Sequence, residues 1–195
     1  GFGSCTGTML GDRVVLTAAH CPDLGGVIQS VVHKTDANLP CSSSTVEEIA
    51  YAPGSTADQV GYHLDDVALL KLSSPICGVK PAMLPETAVA TGNTVSVAGY
   101  GQGTPSGNIP YRTNIKTIPA DRATLDPLFA DLDPVDHEEY LKEVDQLLAL
   151  YGKHYLFALP EVAGTSLCFG DSGGPVYLEK DSTLYLVGVN GAIIG

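Results

Sequence analysis

Apolar and polar positions alternate in short runs along most of the chain, and turn residues punctuate the runs. Residues 13–17 (RVVLT), 27–32, 46–51, 66–72 (DVALLKL) and 94–98 (TVSVA) are rich in β-branched side chains. Such side chains suit the pleated, half-buried surface of a sheet. Near the end, residues 175–179 and 183–189 flank Lys180, Asp181 and Ser182. That is the pattern of a hairpin closed by a short polar turn.

One stretch breaks the period of two. Asp133 is placed to cap a helix and Pro134 to occupy its first position. Tyr140, Leu141, Val144, Leu147, Leu148 and Tyr151 then recur at helical spacing up to Gly152, a residue suited to ending a helix. An amphipathic helix over 133–152 is predicted, with its apolar stripe packed on the sheets; a partner-binding insert is the other reading. Residues 73–85 hold three prolines and little periodicity, the signature of a linker between an N-terminal half, 1–78, and a C-terminal half, 79–195.

Composition agrees with an all-β chain of 195 residues, since 22 glycines and 13 prolines supply many turns. With 44% apolar and 16% charged residues, a packed core is expected rather than disorder. The net charge of −12 opposes phosphate backbones and anionic bilayers, so neither nucleic acid nor membrane is an expected partner. No apolar run approaches the roughly 20 residues that span a bilayer. The chain opens at Gly1, Phe2 and Gly3 without an initiator Met or a signal-like stretch; it reads as a mature or cropped segment, which leaves secretion open.

The five cysteines, Cys5, Cys21, Cys41, Cys77 and Cys168, contain no CxxC pair. His137, Glu138 and Glu139 lack the HExxH spacing of a zinc protease. Neither metal nor cofactor is expected. An odd count leaves at least one thiol without a partner in the chain, and structural disulfides in an oxidising compartment are the expected use of the others.

Amide hydrolysis needs a nucleophile, a base for its proton, a group that holds the base, and donors aimed at the developing oxyanion. Ser172 sits in Gly170-Asp171-Ser172-Gly173-Gly174-Pro175, where glycines let the backbone turn sharply and approach a carbonyl closely. His20 ends Leu16-Thr17-Ala18-Ala19-His20, ahead of Cys21, and Asp66 opens DVALLKL. Taken singly, each has a plainer reading: a glycine turn, a core histidine, a strand cap. Asp65 competes with Asp66, which is preferred because it directly precedes Val-Ala-Leu-Leu.

In this order, TAAHC, DVALLKL and GDSGGP resemble the trypsin/chymotrypsin family of serine proteases, and the order His, Asp, Ser separates that family from subtilisins and α/β-hydrolases. Residues 3–10, Ala98-Gly99-Tyr100-Gly101 and residues 186–189 extend the resemblance to most of the chain outside roughly 118–163. The 106 residues between Asp66 and Ser172 are long for the family, and the helical stretch at 133–152 accounts for the excess. The resemblance implies two antiparallel six-stranded β-barrels with the site between them. It further implies His20, Asp66 and Ser172 as catalytic triad, the N–H groups of Gly170 and Ser172 as oxyanion hole, and a Cys5–Cys21 disulfide. Protein or peptide substrates, protein protease inhibitors and an extracellular location are implied as well. Ser166, six residues before Ser172, falls at the floor of the specificity pocket, and its neutral hydroxyl favours an apolar or small P1 side chain. Catalytically silent binding and simple ester hydrolysis are the rival functions.

The chain departs from the family pattern in several places. Val95 and Leu178 stand where the family has a bridge, Cys168 matches a cysteine whose partner lies beyond residue 195, and a Cys41–Cys77 bridge would be outside the pattern. Asn190-Gly191-Ala192 replaces Ser-Trp-Gly in the cleft strand. The family's Ile-Val-Gly-Gly-like start, final strand and C-terminal helix are not in the sequence, so an excised piece of a longer protein is expected. Without the N-terminal amine, Asp171 is expected to be a poorly compensated charge and the oxyanion hole to be misformed.

Overall fold

In the first half, β-branched and leucine side chains alternate with polar ones, and five strands result. They are β1 (Thr8–Met9), β2 (Val14–Thr17), β3 (Ser30–Val32), β4 (Ser43–Tyr51) and β5 (Ala68–Leu72), seen in a computed structural model. The structure describes residues 4–23, 28–33, 39–55, 65–102, 111–129, 141–142, 144–145, 148–149, 157–161 and 167–191. The five strands pair antiparallel in the order β1-β2-β5-β4-β3. Along β5, Ala68, Leu70 and Leu72 point inward while Leu69 and Lys71 point outward. Leu70 and Leu72 join Met9, Val15 and Ile76 in one cluster, and each fully buried leucine contributes about 1.5–3 kcal/mol. On the outer face Lys71 lies 3.5 Å from Glu47 and 3.6 Å from Glu48, and Arg13 lies 3.4 Å from Glu47. Glu47 and Glu48 are therefore an exposed, ion-paired couple, worth about 0–1 kcal/mol per contact.

The second half builds another five-stranded sheet from β6 (Thr94–Gly99), β7 (Tyr111–Ile118), β8 (Phe157–Pro160), β9 (Pro175–Lys180) and β10 (Thr183–Val189). Its order is β10-β9-β6-β7-β8, again antiparallel. Val95, Val97 and Val176 form its core, with Ile115 and Leu178 packed against them. Apolar contact thus occupies positions 95 and 178, where the resemblance places a bridge that this sequence lacks. The β9–β10 hairpin turns on Asp181 (φ 51°) and Ser182 (φ 60°). Two successive left-handed residues make a turn whose twist matches that of the strands.

The structure describes an all-β pair of antiparallel sheets, as expected, with five strands in each among the described residues where six were expected. Two strands were not anticipated. In β7 the fully buried positions described are Thr113 and Thr117, while Arg112, Asn114 and Lys116 face solvent, so its alternation carries no hydropathy signal. β8 ends on proline at the sheet edge, where a missing N–H is tolerated.

Within 133–152, the described residues Leu141, Lys142, Val144, Asp145, Leu148 and Ala149 are helical. Val144 packs on Leu125 of α2 (Arg122–Leu125), and Leu141 and Leu148 pack against the same cluster beside Ile118 and Phe157. Lys142, Asp145 and Ala149 face out. The stripe is a packing stripe over these residues; the rest of the predicted helix lies outside the described residues. Residues 73–85 strap the two sheets together: the N–H of Ala82 donates to Met9 O at 2.8 Å, and Met83 O accepts from the Leu186 N–H at 2.7 Å.

Candidate active site

Strands β2 and β5 pair in a register that sets Thr17 opposite Ala68. The residues just beyond those ends, His20 and Asp66, are therefore brought face to face. Ala18 and Ala19 between β2 and His20 are completely buried, which explains the small residues: a larger side chain there would cost about 1–3 kcal/mol in overpacking. His20 opens the single-turn helix α1 (His20–Asp23). Its backbone N–H donates to Asp66 Oδ1 at 2.9 Å, and its ring Nδ1 lies 2.7 Å from Asp66 Oδ2. The two side chains are 15% and 7% exposed. A separation of 2.7 Å is that of a charge-assisted hydrogen bond. With the proton on Nδ1, Nε2 of the neutral ring is left as an acceptor. Asp65 does not compete: it has a positive φ of 52° and its carboxylate lies beside Gly54.

Packing explains the glycines around Ser172. Gly170 (φ 98°) and Gly173 (φ 80°) occupy the left-handed region. A Cβ on Gly173 would overlap Thr17 Oγ1 and the carbonyl of Thr6. The loop is thus pressed directly onto the first sheet, where the N–H of Thr6 donates to Ser172 O at 2.8 Å and Cys21 Sγ lies 3.8 Å from the same oxygen. Among the described residues, the N–H groups of Gly170 and Ser172 donate to no protein acceptor, and the Ser172 hydroxyl makes no hydrogen bond to His20. His20 and Asp66 are joined directly; the carbonyl of Ser172 lies 3.8 Å from the sulfur of Cys21, the residue after His20.

Asp171, expected to be a poorly compensated charge, meets two backbone N–H donors. Only 4% exposed, it accepts from the N–H of Gly101 through Oδ1 and from that of Cys168 through Oδ2, each at 2.8 Å. A Cβ on Gly99 or Gly101 would collide with this carboxylate. Hydrogen bonds to a charged group are worth about 1.5–3 kcal/mol each, so these two backbone donors offset part of the cost of burying the carboxylate.

The sulfurs of Cys5 and Cys21 are bonded, as are those of Cys41 and Cys77, while Cys168 is free and exposed. Nitrogen of His20 comes within 4.8 Å of the Cys5 and Cys21 sulfurs, but disulfide sulfurs offer no thiolate to a metal. His33 is half-buried near Leu39 and Gly78; His63, His137, His154 and Ser166 lie outside the described residues. Two residues at the site escaped the sequence reading. Thr6 donates through Oγ1 to Gly170 O at 2.8 Å, and Asn190 donates through Nδ2 to Asp171 O at 3.2 Å. The only signal for either was a departure from the family pattern in the cleft strand at Asn190.

A family model described as trypsin matches residues 1–195. The chain is 29% identical over 181 residues to the snake venom serine protease catroxase-2 of Crotalus atrox, covering 88% of this chain and 62% of that protein. It is 30% identical over 181 residues to the bradykinin-releasing enzyme KR-E-1 of Gloydius ussuriensis, covering 88% and 68%. Against the solved structure of the scabies mite inactivated protease paralogue S-I1 the TM-score is 0.61 at 26% identity, over 97% of this chain and 76% of that one. The chain spans about 62% of the length of the first of these relatives.

Proposed function

The chain belongs to the trypsin family, and from that premise we propose that the protein is a serine endopeptidase working through an acyl-enzyme. Ser172 Oγ attacks the scissile carbonyl carbon as His20 Nε2 takes its proton. The tetrahedral oxyanion is received by the N–H groups of Gly170 and Ser172. His20 then gives the proton to the amine nitrogen as the C–N bond breaks, and water repeats the sequence on the ester to release the acid. Asp66 holds the Nδ1–H tautomer and stabilises the imidazolium.

The observation that carries this reading is the two-point grip of Asp66 on His20 at 2.9 and 2.7 Å. The halves 1–78 and 79–195 supply His20 with Asp66 and Ser172 respectively. Ser166 favours an apolar or small P1 residue. Protein or peptide substrates follow from the family; protein inhibitors and secretion are proposed with them. Secretion is supported by the two disulfides and by a relative named as a venom protease.

A catalytically silent member acting as a binding module is the second reading. It is favoured by the structural neighbour described as an inactivated paralogue. Fluorophosphonate labelling of the full-length folded protein separates the two, with the modified residue mapped by mass spectrometry and Ser172→Ala as control. Label on Ser172 alone is the expected result. A folded, processed protein that takes no label is a binding module.

A further inference from the structure

We propose that Thr6 and Asn190 are positioning residues that together aim the oxyanion donor of Ser172, an inference that rests on the endopeptidase reading. A peptide unit is planar, so whatever holds a carbonyl also sets the direction of the next residue's N–H. The Ser172 N–H shares its peptide with the Asp171 carbonyl. That carbonyl accepts from the Gly174 N–H at 2.9 Å and from Asn190 Nδ2 at 3.2 Å.

Asn190 is built into place. It is 5% exposed, its amide nitrogen also reaches Ala98 O at 3.3 Å, and its backbone exchanges hydrogen bonds with Gly173 and Gly174 at 2.8 and 2.9 Å. An amide turned the other way would face two carbonyl oxygens with a third, so its orientation is determined.

Thr6 grips the two peptides that flank this one, Gly170–Asp171 and Ser172–Gly173, and so confines the peptide between them. Its Oγ1 donates to Gly170 O at 2.8 Å and accepts from the Tyr100 N–H at 3.0 Å. Its backbone N–H holds Ser172 O at 2.8 Å, and its carbonyl accepts from Thr17 Oγ1 at 2.9 Å. Gly170 has no side chain to restrain its rotation, and among the described residues the Thr6 hydroxyl is the only donor to its carbonyl. The carbonyls of residues 170, 171 and 172 are thus pinned in succession, two of them by side chains that lie 164 and 19 residues away in sequence.

The test compares wild-type full-length protein with Thr6→Val, Thr6→Ser and Asn190→Asp. Valine fills threonine's volume without its hydroxyl, serine restores the hydroxyl, and aspartate sets an oxygen where the amide donor was. Thr6→Val and Asn190→Asp are expected to lower kcat about 10- to 100-fold, with KM within about twofold. Affinity for a peptide boronate, which forms a tetrahedral adduct at the serine, falls in parallel, and Thr6→Ser keeps wild-type kcat. Variants that lose thermal stability yet keep kcat and boronate affinity would overturn the inference and leave the enzyme reading standing. Should Asn190→Asp fail to fold, the contrast of Thr6→Val with Thr6→Ser decides alone. Wild-type protein that neither turns over peptide nor takes fluorophosphonate overturns both readings together.

Discussion

Asp66 meets His20 with both carboxylate oxygens, one on the backbone N–H at 2.9 Å and one 2.7 Å from Nδ1. The first contact fixes where the residue sits and the second fixes which way the ring faces. Asp66→Asn keeps the shape but offers an N–H to Nδ1, driving the proton to Nε2. A loss in kcat of about 10⁴-fold is expected, a magnitude carried over from the same substitution in another triad of this family. Kinetics beside a thermal melt check it: activity within tenfold of wild type in a folded variant would sink the assignment of Asp66.

Gly173→Ala tests whether the glycine pattern reports packing rather than flexibility. The added Cβ would run into Thr17 Oγ1 and the Thr6 carbonyl from a φ of 80°. Strain at a left-handed residue alone costs about 1–3 kcal/mol. Denaturant unfolding should show at least that loss, together with failure of fluorophosphonate labelling. A variant of unchanged midpoint would mean that the loop is not pressed on the first sheet.

The Cys5–Cys21 bridge closes a loop of sequence separation 16 beside His20. Replacing both cysteines with serine is expected to remove about 3 kcal/mol of stability by loop-closure entropy. Equilibrium unfolding of the double variant gives the value directly, and a loss near zero would show that the bridge only decorates a loop already held.

Val144 tests the stripe on the 133–152 segment. Its side chain is buried against Leu125, so Val144→Asp places a charge in an apolar contact. Destabilisation of about 3 kcal/mol or more is expected, while Asp145→Ala, which removes only an exposed 3.5 Å contact with Arg122, costs about 1 kcal/mol at most. Equal effects from the two would indicate a helix that does not pack.

Burial raises the phenol of Tyr177 above 10.0, against a smaller opposing pull from Arg112. The protonated form is favoured in the folded state. Its contribution to stability is therefore complete below the ordinary value and is lost as pH rises through the folded one. Ultraviolet titration should show a late-ionising tyrosine that vanishes in Tyr177→Phe. Its presence in that variant would assign it elsewhere among the nine tyrosines.

Sequence alone determined whatever depends on neighbours along the chain. Alternating β-branched runs marked β2, β5, β6, β9 and β10, because burial of one strand face demands that period. TAAHC, DVALLKL and GDSGGP pointed to His20, Asp66 and Ser172 as candidates, because each motif is written in residues that are neighbours along the chain. The tertiary structure decided what depends on distant partners. Threonines proved to be the inward face of β7 only once the sheet had formed around them. Asp171 found its two donors in the N–H groups of Gly101 and Cys168, one of them 70 residues away. Thr6 and Asn190 acquired their places in the same way, because a hydroxyl or an amide can hold a carbonyl from any point in the chain, and only folding chooses which one it meets.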